Sequence, residues 1–331
     1  IGGYWDGHLF YFFRLGGHSL LAARLATHLR STGNSHVSLG AIFEHPTVGA
    51  LANHLDTVAG TPSSAAGLGP VIELARGDAA LPPLFVIHPA GGIAWCYSGL
   101  AQALTPQRRV IGIQANGLVP GGPHPAASIA ELARRYADEM VAVAPHGPYH
   151  IAGWSVGGLI GHAVAVELQA RGLKVGLLAM LDSYPSDIWR NEPEPPPNAA
   201  LKALLLIAGH DPDQVNLAEL EPATVIGFLR ESGHPLGSLS DETLRRVISI
   251  VSGNNRLVRA HAHDYFDGEV LYFRAALDHH GTKLTPELWR PYVRDLDIRD
   301  VDFLHAHLTS PDANAAIAPV LSERLGAADR T

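Results

Sequence analysis

The chain contains one cysteine, Cys96, in 331 residues. An intrachain disulfide is therefore excluded, and a reducing, cytoplasmic setting is expected. Positive charge is not in excess either: 24 Lys and Arg stand against 32 Asp and Glu, a net charge of −8. With no basic run, nothing electrostatic favours nucleic acid or an anionic membrane surface as a partner. No stretch of about 18 apolar residues occurs, which argues against a membrane-spanning helix. Residues 1–20 lack the basic, apolar, small-residue order of a signal peptide. No internal repeat is present. The remaining composition, 47% hydrophobic and 17% charged, is that of a globular chain long enough for one large domain or two smaller ones.

Composition divides the chain at residues 59–70. Ala59 to Pro70 is small, polar and turn-forming, which predicts a flexible linker. Ahead of it, Leu20, Leu21, Leu25 and Leu29 recur at helical spacing and predict a helix from Ser19. A short apolar piece runs from Leu39 to Phe43, and another from Val48 to Val58 carries Leu51 and Leu55 on one face. Residues 1–58 thus read as a small helical unit. Beyond the linker, short apolar strands (Leu84–His88, Val110–Gln114, Tyr149–Trp154, Gly176–Asp182) alternate with helices (Ile93–Leu104, Ser128–Val143, Leu159–Ala170). That alternation predicts an α/β fold, a parallel sheet covered on both faces. From about 186 to 262 the pattern is mostly helical, over Ala199–Ala208, Pro222–Glu231 and Asp241–Arg259. Strands resume at Val270–Phe273 and Leu296–Val301, and a last helix spans Ala313–Leu325. A helical block between two strands of a sheet is a natural lid. The proline-rich segment Asn191–Asn198 predicts an exposed loop.

The most informative stretch is Gly153-Trp154-Ser155-Val156-Gly157-Gly158. It sits between an apolar strand and a helix and fits G-x-S-x-G, a serine on a sharp strand-to-helix turn that small neighbours allow to close. The pattern resembles the nucleophile turn of α/β-hydrolases. A serine hydroxyl needs a base beside it, and that base needs a carboxylate to fix its tautomer. In that family the chain order is Ser, then Asp or Glu, then His. Asp182 ends the apolar strand after the nucleophile, where side chains converge on a site. His305 and His307, of 19 histidines, both follow the late strand and precede the final helix. The backbone N–H of Val156 is the first expected oxyanion donor, and the loop His88-Pro89-Ala90-Gly91-Gly92 is small enough to supply the second. The pairs His261/His263 and His279/His280 lack a cysteine or carboxylate cluster at ligand spacing; they read as surface or lid residues, and no metal is expected. Cys96 reads as a buried helix residue that nothing activates.

Two resemblances sharpen this. Phe12 to Leu21, Phe-Phe-Arg-Leu-Gly-Gly-His-Ser-Leu-Leu, closely resembles the signature of peptidyl carrier domains of nonribosomal peptide synthetases. It implies that Ser19 carries 4'-phosphopantetheine, with a phosphopantetheinyl transferase and upstream synthetase modules as partners. Carrier domains also have a long first helix, and none is read ahead of Phe12, so a partial carrier unit is expected. Residues 71–325 resemble a type I thioesterase domain through His88–Gly92, Gly153–Gly158, Leu181–Pro185 and the segment around His305. That resemblance favours His305 over His307, because the family histidine lies six residues before the proline of Ser310-Pro311. It also assigns the N–H of Ala90 as the second oxyanion donor. The implied organisation is a carrier domain over 1–58, a linker over 59–70 and a thioesterase domain over 71–331 with a lid at about 186–262. The implied function is release of a carrier-bound peptidyl thioester by acyl transfer to Ser155, followed by hydrolysis or macrocyclisation. A polyketide-terminating thioesterase, a stand-alone serine esterase and a non-catalytic carrier-linked scaffold are the alternatives.

Overall fold

The computed structural model describes residues 12, 19–32, 37, 39–57, 67–119, 121–122, 124–190, 192–193, 195–196, 198–207, 220–232, 234–279 and 281–330. Strands β1 (Val71–Ala75), β2 (Leu84–Ile87), β3 (Val110–Ile113), β4 (Tyr149–Trp154), β5 (Val175–Leu181), β6 (Phe266–Ala275) and β7 (Val293–Val301) form one sheet. Its order is β1-β3-β2-β4-β5-β6-β7. Every pairing from β3 to β7 is parallel, whereas β1 runs antiparallel to β3. The wholly parallel sheet expected from the sequence is corrected at this edge. β1 buries only alternate residues over its first part, so it lacks the continuous apolar run that marks β2, β3 and β4, which are buried throughout.

Helices α1 (Ser19–Ser31), α2 (Leu39–Glu44) and α3 (Val48–Thr57) precede the sheet. Within it and after it come α4 (Ser98–Ala103), α5 (Ile129–Val143), α6 (Val156–Ala170), α7 (Asp187–Arg190), α8 (Ala199–Ile207), α9 (Pro222–Glu231), α10 (Asp241–Ala260) and α11 (Pro311–Ala328). Serines begin three of them: Ser128, Ser240 and Ser310 each accept from the N–H three residues on, which satisfies a donor the helix itself cannot. Strand alternation sorts the core into two faces. Leu84 and Val86 pack with Trp95, Leu100 and Leu321, the α4 and α11 side. Phe85 and Ile87 pack with Tyr136, Leu159 and Ile160, the α5 and α6 side. The expected helical insertion is present as α7 to α10. At the far edge, β7 presents Arg and Asp in alternation, with Arg299 paired to Asp297 and Arg274 of β6 paired to Asp300.

The leading helices lie against the rest of the chain. α1 packs on the short turn Pro235–Ser238, and α2 packs on β1. A Cβ on Gly67, whose φ is +74°, would lie 2.2 Å from the Cα of Gly40 in α2, so this crossing needs glycine. The last four residues of the predicted linker are likewise fixed. The Gly67 carbonyl accepts from Trp95 Nε1 at 3.0 Å and Gln114 Nε2 at 2.9 Å, and Leu68 is buried. Turn-forming composition alone does not separate an ordered turn from a tether. Residues 58–66, the carrier motif at 13–18, anything ahead of Phe12, and the Ser19 side chain lie outside the described features.

His261 and His263, expected at the surface or in the lid, are half-buried instead. Trp289 and Tyr292, remote in sequence, close over His263, whose ring His261 meets edge-on at 4.5 Å. The His263 ring meets His162 of α6 edge-on at 5.2 Å. Its Nε2 accepts from the Ser186 N–H at 2.8 Å, which pins the loop leaving β5. Burial pulls His162 down to about 4 and His263 to about 2; burial also takes His88, at the end of β2, to about 4. The native state therefore declines protons that the unfolded chain accepts near its ordinary value of 6.5, and stability rises with pH across that window. The melting temperature is expected to fall as pH is lowered from about 6.5 to about 5, above the range where most carboxylates titrate. A flat melting temperature there, in scanning calorimetry, would contradict the assignment.

Candidate active site

The site begins with what a side chain would hit. A Cβ on Gly153 would lie 2.2 Å from the Gly157 carbonyl carbon, and one on Gly157 would lie 2.4 Å from the Ile87 carbonyl oxygen. Only glycine lets the turn from β4 into α6 close this tightly against β2. Ser155 occupies that turn with φ 57° and ψ −129°, a conformation costly for any L-residue. Its N–H is tied to the Leu181 carbonyl at 3.0 Å. Ser155 lines a cavity of about 870 Å³ whose walls include Trp189 of α7, Ala200 of α8, and Val251 and Val258 of α10.

Asp182 follows β5 with φ 46° and is fully buried. A buried carboxylate must be fully hydrogen-bonded to remain charged. Its Oδ1 accepts from the Tyr184 hydroxyl at 2.8 Å and the Ala275 N–H at 3.2 Å. Its Oδ2 accepts from His305 Nδ1 at 2.7 Å and His279 Nε2 at 2.9 Å. Burial alone would push the Asp182 carboxyl up. The His305 hydrogen bond and charge, with the bonds from His279 and Tyr184, outweigh it and hold the group below the usual carboxylate range.

His305 is held from three sides. Its N–H donates to Asp278 Oδ2 at 2.8 Å, its carbonyl accepts from Trp154 Nε1 at 3.1 Å, and its ring lies 5.5 Å from the Trp154 ring. With Nδ1–H committed to Asp182, the neutral ring keeps its lone pair on Nε2. His307 is exposed. Of the two candidate histidines, the structure brings His305 to the carboxylate.

Val156 is the first residue of α6 and Ala90 lies in the loop after β2; both line the cavity with Ser155. Among the described residues, neither N–H has a backbone acceptor outside regular structure. Two residues hold this region that the sequence pattern does not single out. Asn254 Nδ2 of α10 donates to the Ala90 carbonyl at 2.9 Å. Tyr97 is fully buried between strand ends: its hydroxyl donates to the Ile87 carbonyl at 2.8 Å and accepts from the Trp154 N–H at 2.7 Å. His88 completes the loop, with Nδ1 donating to the Pro89 carbonyl at 2.7 Å and Nε2 accepting from the Tyr136 hydroxyl at 2.5 Å.

His279 reads from the sequence as a surface or lid residue; it is instead part of this constellation, carried there by the turn after β6. An adjacent histidine pair gives no hint of a carboxylate 97 residues earlier. His280 lies outside the described residues. Asp182, His279 and His305 offer ligand atoms within 4.8 Å of one another, already joined by hydrogen bonds. Cys96 is half-buried in a short turn of helix, and burial pushes its thiol up to about 12. It is no activated nucleophile.

Comparison with known proteins identifies the domains. Residues 82–312 match the Thioesterase domain family, and residues 11–55 match the Phosphopantetheine attachment site family. A dimodular nonribosomal peptide synthase of Bacillus subtilis (strain 168) is 35% identical over 316 residues, covering 95% of this chain and 13% of the relative. Enterobactin synthase component F of Escherichia coli (strain K12) is 32% identical over 320 residues, covering 95% of this chain and 23% of the relative. The chain thus spans less than a quarter of the length of either. In three dimensions, a four-domain nonribosomal peptide synthetase superposes over 95% of this chain and 24% of its own, with a TM-score of 0.67 and 26% identity. Fold, site geometry and family matches converge: the chain belongs to the thioesterase domain family, with a phosphopantetheine attachment site ahead of that domain.

Proposed function

We propose that this chain releases a peptidyl thioester from its own carrier segment, with Ser155 as nucleophile, His305 as general base and Asp182 as the group that orients it. The observation that carries this reading is the buried Asp182 paired with the half-buried His305 at 2.7 Å, both lining one cavity with a strained serine. Ser155 Oγ attacks the thioester carbonyl carbon while His305 Nε2 takes its proton. Negative charge gathers on the former carbonyl oxygen, facing the N–H groups of Ala90 and Val156. The C–S bond breaks, His305 returns the proton to the departing sulfur, and an ester remains on Ser155. Water, or an amine or hydroxyl of the peptide itself, then attacks that ester, with His305 again removing the proton. The mostly apolar cavity under α7, α8 and α10 limits how much water competes.

Ser19 would hold the arm. It opens α1, and a helix N-terminus favours the phosphate of such a group. When bound, 4'-phosphopantetheine supplies a long flexible thiol to which the acyl chain is esterified. The proposed division is a carrier over 1–58, a linker over 59–70, and a thioesterase domain over 71–331 with its lid over about 186–262. Upstream synthetase modules and a phosphopantetheinyl transferase are the proposed partners.

Four outcomes are expected. A fluorophosphonate should add one equivalent of label at Ser155 with loss of fluoride, and Ser155→Ala should abolish both labelling and turnover of peptidyl thioesters; labelling that persists would refute the nucleophile. Incubation with coenzyme A and a phosphopantetheinyl transferase should add one arm by intact mass, and Ser19→Ala should remove the gain. Asp182→Asn should leave His305 in the wrong tautomer and lower kcat by roughly 10⁴-fold in steady-state assays. Tyr97→Phe tests the alignment of the strand ends that carry the two oxyanion donors. It strips the partner from two buried backbone groups and should cost about 1–3 kcal/mol in urea unfolding.

A further inference from the structure

Among the described residues, three non-glycine positions have left-handed backbone: Ser155 at φ 57°, Asp182 at φ 46° and His279 at φ 62°. All three line the same cavity. Such conformations persist only where their surroundings over-determine them, and they gather at functional sites. The first two are the proposed nucleophile and acid. The third has no role in the reaction as written above, yet its turn is deliberately closed: the Thr282 N–H and hydroxyl both donate to the His279 carbonyl, at 3.0 and 2.8 Å.

We propose that His279 is a positioning residue for the release reaction, its Nε2–H holding Asp182 Oδ2 in the orientation from which that oxygen receives His305 Nδ1–H. This rests on the reading of Ser155, Asp182 and His305 as a working set. The last torsion of an aspartate is soft, so two donors on Oδ1 do not by themselves fix where Oδ2 points. His279 supplies the second constraint on Oδ2, at 2.9 Å, from the opposite chain segment to His305 at 2.7 Å. The groups facing His279 are Asp182, Tyr184 with its ring edge-on at 5.3 Å, and His305 at 6.1 Å. Asp278, its neighbour in sequence, holds the His305 N–H. The turn Asp278-His279 therefore grips the base at its backbone and, through Asp182, at its ring. Without the His279 donor, Oδ2 serves His305 alone. It tilts more freely, which slows the reaction, and it becomes a better acceptor, which favours the imidazolium of His305.

The test compares His279→Leu, which drops the donor, with His279→Gln, which keeps one at similar reach. For each, kcat and KM are measured against pH with a soluble peptidyl thioester, normalised to sites titrated by fluorophosphonate. The Leu variant should lose roughly tenfold in kcat with KM little changed. The acid limb of its kcat profile should move to higher pH, and the Gln variant should recover most of both. Wild-type kcat and limb in the Leu variant, or equal impairment of Leu and Gln, would overturn the proposal. So would a loss that appears only as fewer titrated sites, since that is a folding defect. Should the Leu variant fail to fold, nitrogen-15 histidine spectra of the wild-type protein decide: the His279 Nε2–H signal should shift when Ser155 is phosphonylated, and an unmoved signal would overturn the proposal. Failure of the wild-type protein to label at Ser155 would overturn the underlying triad as well, whereas normal labelling with an unaffected Leu variant overturns this inference alone.

Discussion

A carboxylate with no contact with water has to be satisfied by the protein, and Asp182 is such a group. The donors it gathers come from distinct places: Tyr184 two residues on, the backbone at the end of β6, the turn that follows, and the segment between β7 and α11. Meeting that requirement fixes the distance between the ends of β5, β6 and β7. It also explains why the sheet order matters for chemistry. Parallel strands deliver their C-terminal ends to one side, so β2, β4, β5, β6 and β7 bring Ala90, Ser155, Asp182, His279 and His305 to one cavity from five separate stretches of chain.

The parts of this arrangement that could be read from the sequence are those in which local sterics decide. Gly153 and Gly157 are required because any Cβ there would enter the backbone of the neighbouring turn or of Ile87, and a five-residue pattern records that. Asp182 is legible because it ends a run of apolar residues. β2, β3 and β4 are legible because burial on both faces leaves no polar positions. β1 is not, since an edge strand with one covered face shows only a short alternation. His279 and Tyr97 were missed for a different reason. What distinguishes each is a partner distant in sequence: Asp182 in one case, and Ile87 with Trp154 in the other. No local spacing encodes those contacts. His263 likewise becomes unusual only when Trp289 and Tyr292 fold over it.

The segment between β5 and β6 is anchored at two places. Ser186 is tied to His263, and Asn254 of α10 holds the Ala90 carbonyl. The helical cover over the cavity is therefore fastened at its start and near its end, and it reaches the loop of Ala90, whose N–H is the proposed oxyanion donor. Movement of α10 and alignment of that donor are mechanically linked through one amide. The leading helices touch the same cover at Pro235–Ser238, so the carrier-like unit and the cavity share a structural element without sharing a residue.

The outer margin of the sheet carries a further consequence. Among the described residues β7 is the last strand of the sheet, and its free backbone edge is of the kind that accepts a strand from another molecule. Its alternating cations and anions, braced by Arg324 against Glu269 and Asp297, make that union unfavourable, because a newcomer would have to strip water from several charges at once.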